Sequence, residues 1–290
     1  MPLEPGPHDS DSSIFSDGPP DPAYPVVTPP DPVYPGQTRA PLASPLDEIA
    51  TPALWSRLAP PLERVLADLW DTLGLDPGAR PKRWVAIHYG RIALNAHVWE
   101  RVRARLLGEE PDPGLVEPAH GLGPRVADAL ERARARLRRR RLARRIDAAE
   151  RARTPFLRRL AEIDPGELDA GELARGPLDQ HAWSEVLLAG LGRRLTEPDE
   201  PDADPGLRAA LALEERCTCE LGQRLTSRGA LASADLCAYL TVAERIRAVL
   251  EGASHWSEIA AARQERVEQF AKLELPREFF GRPRPGAEPA

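Results

Sequence analysis

Few residues of this 290-residue chain have the type and spacing that catalytic chemistry requires. His88 and His97 flank a short segment of alternating apolar residues and could approach each other in the folded chain. Acid–base catalysis requires paired titratable groups held close together, and no carboxylate stands at helical spacing beside both histidines. The sequence therefore indicates no catalytic residue, and packing or surface roles are the simpler interpretation of both histidines.

The three cysteines, Cys217, Cys219 and Cys237, do not form a metal-binding pattern. A structural zinc site requires about four ligands, usually as regularly spaced pairs, and Cys-Thr-Cys followed by one distant cysteine offers no partner pair. Thiols in a small, odd number are typical of a reducing compartment, where they behave as small apolar side chains. We therefore predict no metal site in this chain and a cytoplasmic location.

Local motifs of self-sufficient enzymes are also missing from the sequence. It contains no P-loop, no glycine fingerprint for a dinucleotide, no Gly-x-Ser-x-Gly turn and no His-Glu-x-x-His. No stretch approaches the ~20 apolar residues that span a bilayer, and the first residues lack the basic-then-apolar pattern of a secretory signal. We therefore predict no membrane association and no activity of the chain on its own.

The 32 prolines divide the chain into an ordered body and tails. Within residues 1–47 the pattern Pro-Asp-Pro-x-Tyr-Pro occurs twice, ending at Pro25 and Pro35. Proline fixes φ and removes a hydrogen-bond donor, so we predict a disordered, Pro-rich N-terminal tail that favours polyproline II. Such a tail serves as a spacer or as a ligand for an aromatic-lined groove. The predicted domain spans 48–285, and residues 286–290 form a disordered C-terminus.

Helical periodicity dominates the predicted domain. Apolar residues recur at helical spacing over residues 62–73, and Gly74 provides the end of that helix. Residues 85–94 instead alternate with the period of half-buried strands around the turn Tyr89-Gly90-Arg91, and Asn95 can cap the next helix. Because an isolated two-stranded ribbon is only marginally stable, it must pack on helices. The predicted fold class is mainly α, a multi-helix domain with one small antiparallel β-ribbon.

A long helix predicted over residues 125–153 is rich in arginine and has no acidic residue over 132–145. Such a face indicates a nucleic-acid or acidic-protein partner, or else a solvated face opposite an apolar edge formed by Leu130, Leu137 and Ile146. Phosphate contacts need a basic surface, whereas the net charge of the chain is −6. We therefore favour the solvated face and do not expect nucleic acid as a partner.

Three stretches, in order along the chain, resemble one protein family. TPALWSRLAPPLERVL (51–66) resembles the Thr-Pro-Leu-x-x-Ser entry that follows the ATP-binding domain in rifampicin phosphotransferases and phosphoenolpyruvate-synthase-like proteins. HYGRIALNAHVW (88–99) resembles the family's Gly-Arg-x-Tyr-x-Asn signature, with Ala93 where tyrosine is usual. Residues 221–283 are similar to the block that closes the family's middle region. The positions in register there are Gly229, Leu240, Thr241, Glu244, Arg263, Pro276 and Gly281.

The resemblance covers about residues 48–285 and implies the helical middle region of these enzymes that use phosphoenolpyruvate (PEP). In this family an ATP-grasp domain makes a phosphohistidine on a swivelling domain, and the middle region of rifampicin phosphotransferases forms the acceptor pocket. The swivelling-domain signature, Thr-Gly-Gly leading to Ser-His, is absent from this sequence. The resemblance therefore implies a stand-alone acceptor-binding or linker domain without a cofactor of its own. Separate ATP-grasp and phosphohistidine chains would supply ATP and Mg²⁺.

The alternative is a non-catalytic small-molecule-binding or scaffold protein that kept the fold and lost the chemistry. Two departures from the family favour it, because Leu236 replaces a usual acid and Ala238 replaces an aromatic residue. A hydrophobic small molecule would then be the partner, as in the rifampicin-binding relatives.

The β-ribbon is where we expect residues to face a ligand or a partner domain, with Arg91 meeting an anionic group. The alternative is that the ribbon only braces the helical core. The candidate residues are His88, Tyr89, Arg91, Asn95 and His97.

Overall fold

A computed structural model describes residues 33–34, 36–39, 42, 50–107, 124–196, 204–280 and 283. The helices are α1 (Pro52–Leu73), α2 (Ala96–Leu107), α3 (Pro124–Glu162), α4 (Ala170–Arg175), α5 (Gln180–Thr196), α6 (Pro205–Ser227), α7 (Val242–Glu251) and α8 (His255–Ala271). The strands are β1 (Gly36–Thr38), β2 (Val85–His88), β3 (Arg91–Asn95) and β4 (Glu278–Phe280). The predicted fold class, mainly α with a small antiparallel β element, is confirmed.

Helix α1 runs through the middle of the helical layer and contacts α2, α3, α5 and α7. Thr51 caps it by accepting a hydrogen bond from the Leu54 N–H at 3.4 Å, and Pro52 occupies its first turn, where no N–H is needed. Gly74 ends the helix at φ 62°, a left-handed conformation that glycine adopts without strain. Its buried stripe follows helical spacing and comprises Leu58, Leu62, Val65, Leu66, Leu69, Trp70 and Leu73.

The sheet has four antiparallel strands in the order β2-β3-β1-β4, so the predicted two-stranded ribbon is one half of it. Tyr89 (φ 49°) and Gly90 (φ 75°) form the predicted turn between β2 and β3. Strand β1 lies between β3 and β4, with Gln37 opposite both Asn95 and Phe279.

Strand β1 falls within residues 1–47, which the sequence assigned entirely to a tail, so that boundary needs correction. The Gly-Gln-Thr triplet contains no proline, so its N–H groups can donate to neighbouring strands. Gln37 and Thr38 are both buried, and β1 covers an edge of the ribbon that would otherwise be unpaired. The tail predictions for residues 1–32 and 286–290 lie outside the described residues.

Helix α3 is a single helix of 39 residues that continues through Pro155, where the sequence predicted a break. Pro155 is exposed, so water can satisfy the backbone carbonyl that loses its N–H donor. The predicted apolar edge also differs, because Leu137 is 54% exposed while Leu142, Ile146 and Ala149 are buried. Of the predicted edge residues whose side chains are described, only Ile146 therefore contributes to the core.

No helix in the described ranges combines the length and the apolar character that crossing a bilayer requires.

Candidate functional site

His88 lies at the end of β2 and is enclosed by the sheet. Its side chain is 1% exposed, and Nε2 lies 3.1 Å from Oε1 of Gln37 on β1. The ring meets Phe279 of β4 edge to face, with centroids 4.9 Å apart. Burial lowers the pKa of His88 to about 4, so the imidazole is neutral at physiological pH.

Tyr89 and Arg91 attach the turn of the ribbon to the end of α8. The buried Tyr89 ring packs edge to face against Phe270, with centroids 5.6 Å apart. Arg91 donates from Nη1 to the Phe270 carbonyl at 3.3 Å and from Nη2 to the Leu273 carbonyl at 2.9 Å. Phe270 lies in the last turn of α8 and Leu273 two residues beyond its end, so Arg91 places a cation at the C-terminus of this helix, where it is favourable.

Asn95 and His97 hold the start of α2. Oδ1 of Asn95 accepts a hydrogen bond from the Val98 N–H at 3.3 Å, which confirms the predicted cap. Nδ2 of the same residue donates to the carbonyls of Tyr34 at 3.1 Å and Arg83 at 3.2 Å. His97 stacks on the Tyr34 ring, with centroids 3.7 Å apart.

The five candidate residues therefore contact other residues of this chain within the sheet and the helices that adjoin it. The two histidines have separate neighbours and do not form a pair. Their contacts are those of the bracing alternative. A role in facing a ligand or a partner domain stays a prediction.

The second set of residues singled out by the resemblance forms a buried cluster on α7 and α8. Thr241 and Glu244 make a capping box, and the Glu244 carboxylate accepts hydrogen bonds from Nη1 of Arg263 at 2.7 Å and from Nη2 at 2.9 Å. Arg263 also donates to the Tyr239 carbonyl at 2.9 Å. Burial alone would raise the pKa of Glu244, but the hydrogen bonds from Arg263 and Thr241 outweigh burial and lower that pKa.

A second buried ionic cluster, which sequence reasoning missed, is centred on Glu214 of α6. The Arg245 side chain is 0% exposed and donates from Nη1 to Oε1 of Glu214 at 3.3 Å. Its other nitrogens donate to Thr218 Oγ1 at 2.9 Å and to the Cys237 carbonyl at 3.1 Å. The Arg245–Glu214 pair is thus neutral, and each Arg245 nitrogen makes a hydrogen bond.

Arg57 of α1 approaches the same carboxylate from the other side. Its Nε lies 3.5 Å from Oε2 of Glu214, within ion-pair distance but without the geometry of a hydrogen bond. The Arg57 side chain is 11% exposed, and its enclosed Nε and Nη2 have no hydrogen-bond partner among the described residues. Burial lowers the pKa of Arg57, while Glu214 partly opposes that effect. The cluster thus holds two guanidinium groups and one carboxylate.

Arg57 also lines a cleft of about 470 Å³ between α1 and the segment that enters α5, which we call the Arg57 cleft. Gly176 lies at φ 78°, and a side chain there would collide with the Arg57 guanidinium. The buried Trp183 contributes another wall, and its Nε1 has no hydrogen-bond acceptor among the described residues. The lining residues are Ser56, Arg57, Pro60, 175–180, Trp183 and Val242.

A second cavity, of about 390 Å³, lies between α3 and α5. It is lined by Phe156, Arg159, His181 and Glu185, together with small residues and the helix caps around it. In the part of the chain that the structure describes, no three His, Cys, Asp or Glu side chains form a group able to hold a metal ion.

The cysteine thiols have contrasting environments. Burial raises the pKa of Cys217 to about 11 and also raises the pKa of Cys237. Both buried thiols are therefore protonated at neutral pH, and a protonated thiol is a poor nucleophile and metal ligand. Cys219 is exposed.

The arginine-rich part of α3 forms an exposed stripe. Successive members lie four or seven residues apart, which places them on one side of the helix. They stand opposite the buried Leu142 and Ile146. The exposed members are Arg136, Arg140, Arg144, Arg151 and Arg158.

Comparisons of this chain with protein-family models, with curated proteins and with solved structures give no match.

Proposed function

We propose that this chain is the acceptor-binding and linker domain of a split phosphotransferase related to enzymes that use PEP. It works in the cytoplasm with a separate ATP-grasp chain and a separate phosphohistidine chain. The observation that carries this proposal is that Ser56, Gly90 and Arg91, three residues of the motifs, each take part in a contact between the stretches or with the residue just before the first stretch.

The contacts between the stretches are specific. Oγ of Ser56, from the first stretch, accepts a hydrogen bond from the Val242 N–H in the third stretch at 3.0 Å. The Gly90 carbonyl of the ribbon accepts from the Ala50 N–H at 2.6 Å, just before the first stretch. Arg91 of the ribbon binds the carbonyls of Phe270 and Leu273, at and just beyond the end of α8 in the third stretch. Each of these hydrogen bonds thus involves a residue that the resemblance singles out.

In this proposal each of the three chains has a separate role in phosphoryl transfer. The partner chains bind ATP and Mg²⁺ and carry the phosphohistidine, and this chain holds the acceptor that receives the phosphoryl group. The Arg57 cleft and the cavity between α3 and α5 both have volumes in the range of ~300–1,000 Å³ that is typical of small-molecule pockets. The Arg57 cleft is the acceptor site that we favour, because Ser56 of the first stretch and Val242 of the third stretch both line it.

A tagged pull-down from the native host, read by mass spectrometry, tests the split enzyme. We expect an ATP-grasp protein and a phosphohistidine-domain protein to be recovered together. Radiolabelled ATP should then label a small molecule only when all three chains are mixed. Recovery of the protein alone, with no label transferred by mixtures with candidate partners, would remove the proposal's main support.

The second candidate is a non-catalytic small-molecule-binding or scaffold protein. Leu236, at the position of the usual acid, is buried in the turn Ala234–Tyr239, so an apolar contact replaces a charged group there. Native mass spectrometry of protein purified from its host tests this candidate. A bound small molecule, recovered without partner chains and unchanged after addition of ATP, would favour binding over phosphoryl transfer.

A further inference from the structure

We propose that the Arg57 cleft binds the anionic oxygen group of a small ligand, either a carboxylate or a phosphate monoester. The proposal rests on the function above, since it names the chemical class of the molecule that the acceptor-binding domain holds. It is carried by the charge balance of the Glu214 cluster and by two cleft-lining residues, Arg57 and Trp183, whose enclosed hydrogen-bond donors have no acceptor among the described residues.

The Glu214 cluster contains more positive than negative charge. Glu214 lies between Arg57 and Arg245, at 3.5 Å and 3.3 Å, and these three groups are all largely buried. One carboxylate cannot neutralise two guanidinium groups, so the cluster carries one positive charge in excess. Burial of an uncompensated ion costs several kcal/mol, and an anion seated in the cleft would supply the missing counter-charge.

The donors point to the same ligand chemistry. Arg245 donates from all of its nitrogens, to Glu214, Thr218 and the Cys237 carbonyl. The enclosed Nε and Nη2 of Arg57 make no hydrogen bond to any described residue, and Oε2 of Glu214, 3.5 Å from Nε, likewise accepts none. Trp183 Nε1 is a further donor without an acceptor at this cleft. Hydrogen bonds from guanidinium groups to carboxylates and phosphates are among the strongest in proteins. An oxyanion therefore fits the donor set better than a neutral ligand does.

The other charged groups that face the cleft do not cancel this preference. Arg175 at the rim is exposed and adds a second positive charge. Asp179 also lines the cleft and caps α5 through the Ala182 N–H at 2.7 Å; its negative charge offsets that of Arg175 and leaves the excess charge of the Glu214 cluster in place. The remaining walls include Pro60, Pro177, Leu178 and Val242, which would accommodate an apolar ligand body.

The neighbouring Glu244–Arg263 pair shows why this cluster is different. Arg263 makes two hydrogen bonds with Glu244 and a third with the Tyr239 carbonyl. That pair is neutral and satisfied, so an added anion would gain nothing there. The Arg57 side of the Glu214 cluster differs from that pair, because it combines excess positive charge and enclosed donors without acceptors among the described residues with a cleft.

The test uses the full chain and three probes: inorganic phosphate, benzoate, and benzamide as the neutral counterpart of benzoate. Binding is followed through the Arg57 Nε–H resonance in nitrogen-edited NMR, and sodium chloride at equal ionic strength is the blank. We expect phosphate or benzoate to shift that resonance saturably and benzamide to leave it unchanged. A response to benzoate alone would indicate a carboxylate ligand, and a response to phosphate alone a phosphate monoester.

Variants locate the site, and their binding is measured by calorimetry with the anion that responds. We expect Arg57→Gln to weaken binding at least about tenfold, and Arg175→Gln to weaken it several-fold through its exposed position. Arg145→Gln is the matched control. Arg145 pairs with Asp68 of α1, about 16 Å beyond Arg57 along that helix, so binding should remain unchanged.

Two results would overturn the proposal. The first is a wild-type chain that responds to phosphate and benzoate no more than to chloride. The second is anion binding that Arg57→Gln and Arg175→Gln both leave intact. If the Arg57→Gln variant does not fold, the Arg175→Gln variant still tests the proposal, because the exposed side chain of Arg175 contributes little to the stability of the fold. These outcomes are separate from the pull-down, because partner chains can be recovered whether or not the cleft binds an anion.

Discussion

His88 should make the stability of this fold depend on pH between about 4 and 6.5. Its Nε2 faces the Gln37 Oε1 acceptor, so Nε2 carries the proton of the neutral ring. Nδ1 is buried and has no hydrogen-bond partner among the described residues. A second proton would have to go to Nδ1, which would create a buried cation whose new N–H has no acceptor. Burial accordingly lowers the pKa of His88 from 6.5 to about 4.

The sign and the size of the effect follow from that shift. Because the folded pKa lies below the unfolded one, the unfolded chain takes up a proton first as the pH falls. The stabilisation from neutral His88 is therefore fully present above pH 6.5 and is lost as the pH falls towards 4. The whole shift corresponds to about 3 kcal/mol, of which about 2 kcal/mol should disappear between roughly pH 7.5 and pH 5.

Urea unfolding of the wild type and of His88→Gln across this pH range measures the effect. The glutamine amide can still donate towards Gln37 but cannot titrate, so the free energy of unfolding of the variant should fall about 2 kcal/mol less than that of the wild type. Taking the difference between the two proteins cancels the titration of carboxylates that both share. His181→Gln is the matched control, since His181 is exposed on α5, and its curve should parallel the wild type.

Parallel curves for the wild type and His88→Gln would refute the reasoning. They would mean that the folded protein accepts a proton on His88 as readily as the unfolded chain does. The sheet would then have to admit water or an acceptor at Nδ1, and the close packing of His88 between Gln37 and Phe279 would not exclude the imidazolium.

Three further changes test the buried ionic clusters and the exposed face of α3. Glu214→Gln leaves two buried guanidinium groups without a counter-charge, so chemical denaturation should show a loss of about 3–5 kcal/mol; a loss below about 1 kcal/mol would contradict the shared ion pair. Glu244→Gln should lower stability above pH ~4.5 and converge with the wild type at lower pH, because hydrogen bonds from Arg263 hold the pKa of Glu244 below its ordinary value despite burial. A constant difference across the acid range would contradict this. Arg140→Gln on the exposed stripe should change the free energy of unfolding by less than about 0.5 kcal/mol, and a larger cost would show that this face is packed.

Helix ends were predictable from the sequence because the interactions that form them are local. Thr51, Asn95 and Thr241 each cap a helix through a backbone N–H three residues ahead, and Gly74 provides a left-handed end. Each signal needs only a side-chain type and a short spacing. The turn at Tyr89-Gly90 is equally local. These elements therefore agree with the sequence without any knowledge of the tertiary structure.

Strand β1 could not be predicted in the same way. A triplet such as Gly36–Thr38 is too short to show alternation, and the prolines around it indicate a tail. It becomes a strand because β3 and β4 supply partners on both sides, and β4 lies about 240 residues further along the chain. Pairing over such a distance leaves no local pattern.

The Arg57 cleft could not be predicted from the sequence either, although the sequence places charged residues beside buried apolar ones at this site. Glu214 directly follows Leu213, a buried apolar residue of α6, so it stands at the margin of an apolar helix face. Arg57 directly precedes Leu58, a buried apolar residue of α1. Such positions are often snorkelling side chains at the edge of a core. Only the fold brings Arg57, Gly176 and Glu214 together from three distant segments.

The energetics of the Glu214 cluster favour a functional role for Arg57. The Arg245–Glu214 pair is neutral and Arg245 uses all of its nitrogens, while the second oxygen of Glu214, Oε2, accepts no hydrogen bond and lies 3.5 Å from Arg57 Nε. Adding Arg57 buries a second cation whose donors have no acceptor among the described residues, and Gly176 is required to leave room for it. Features that oppose stability in this way persist when a site needs them, and perturbed charges beside clefts are typical of functional sites. If Arg57→Gln leaves the fold as stable as the wild type or makes it more stable, the cost of Arg57 is real, and anion binding is the compensation that the structure offers.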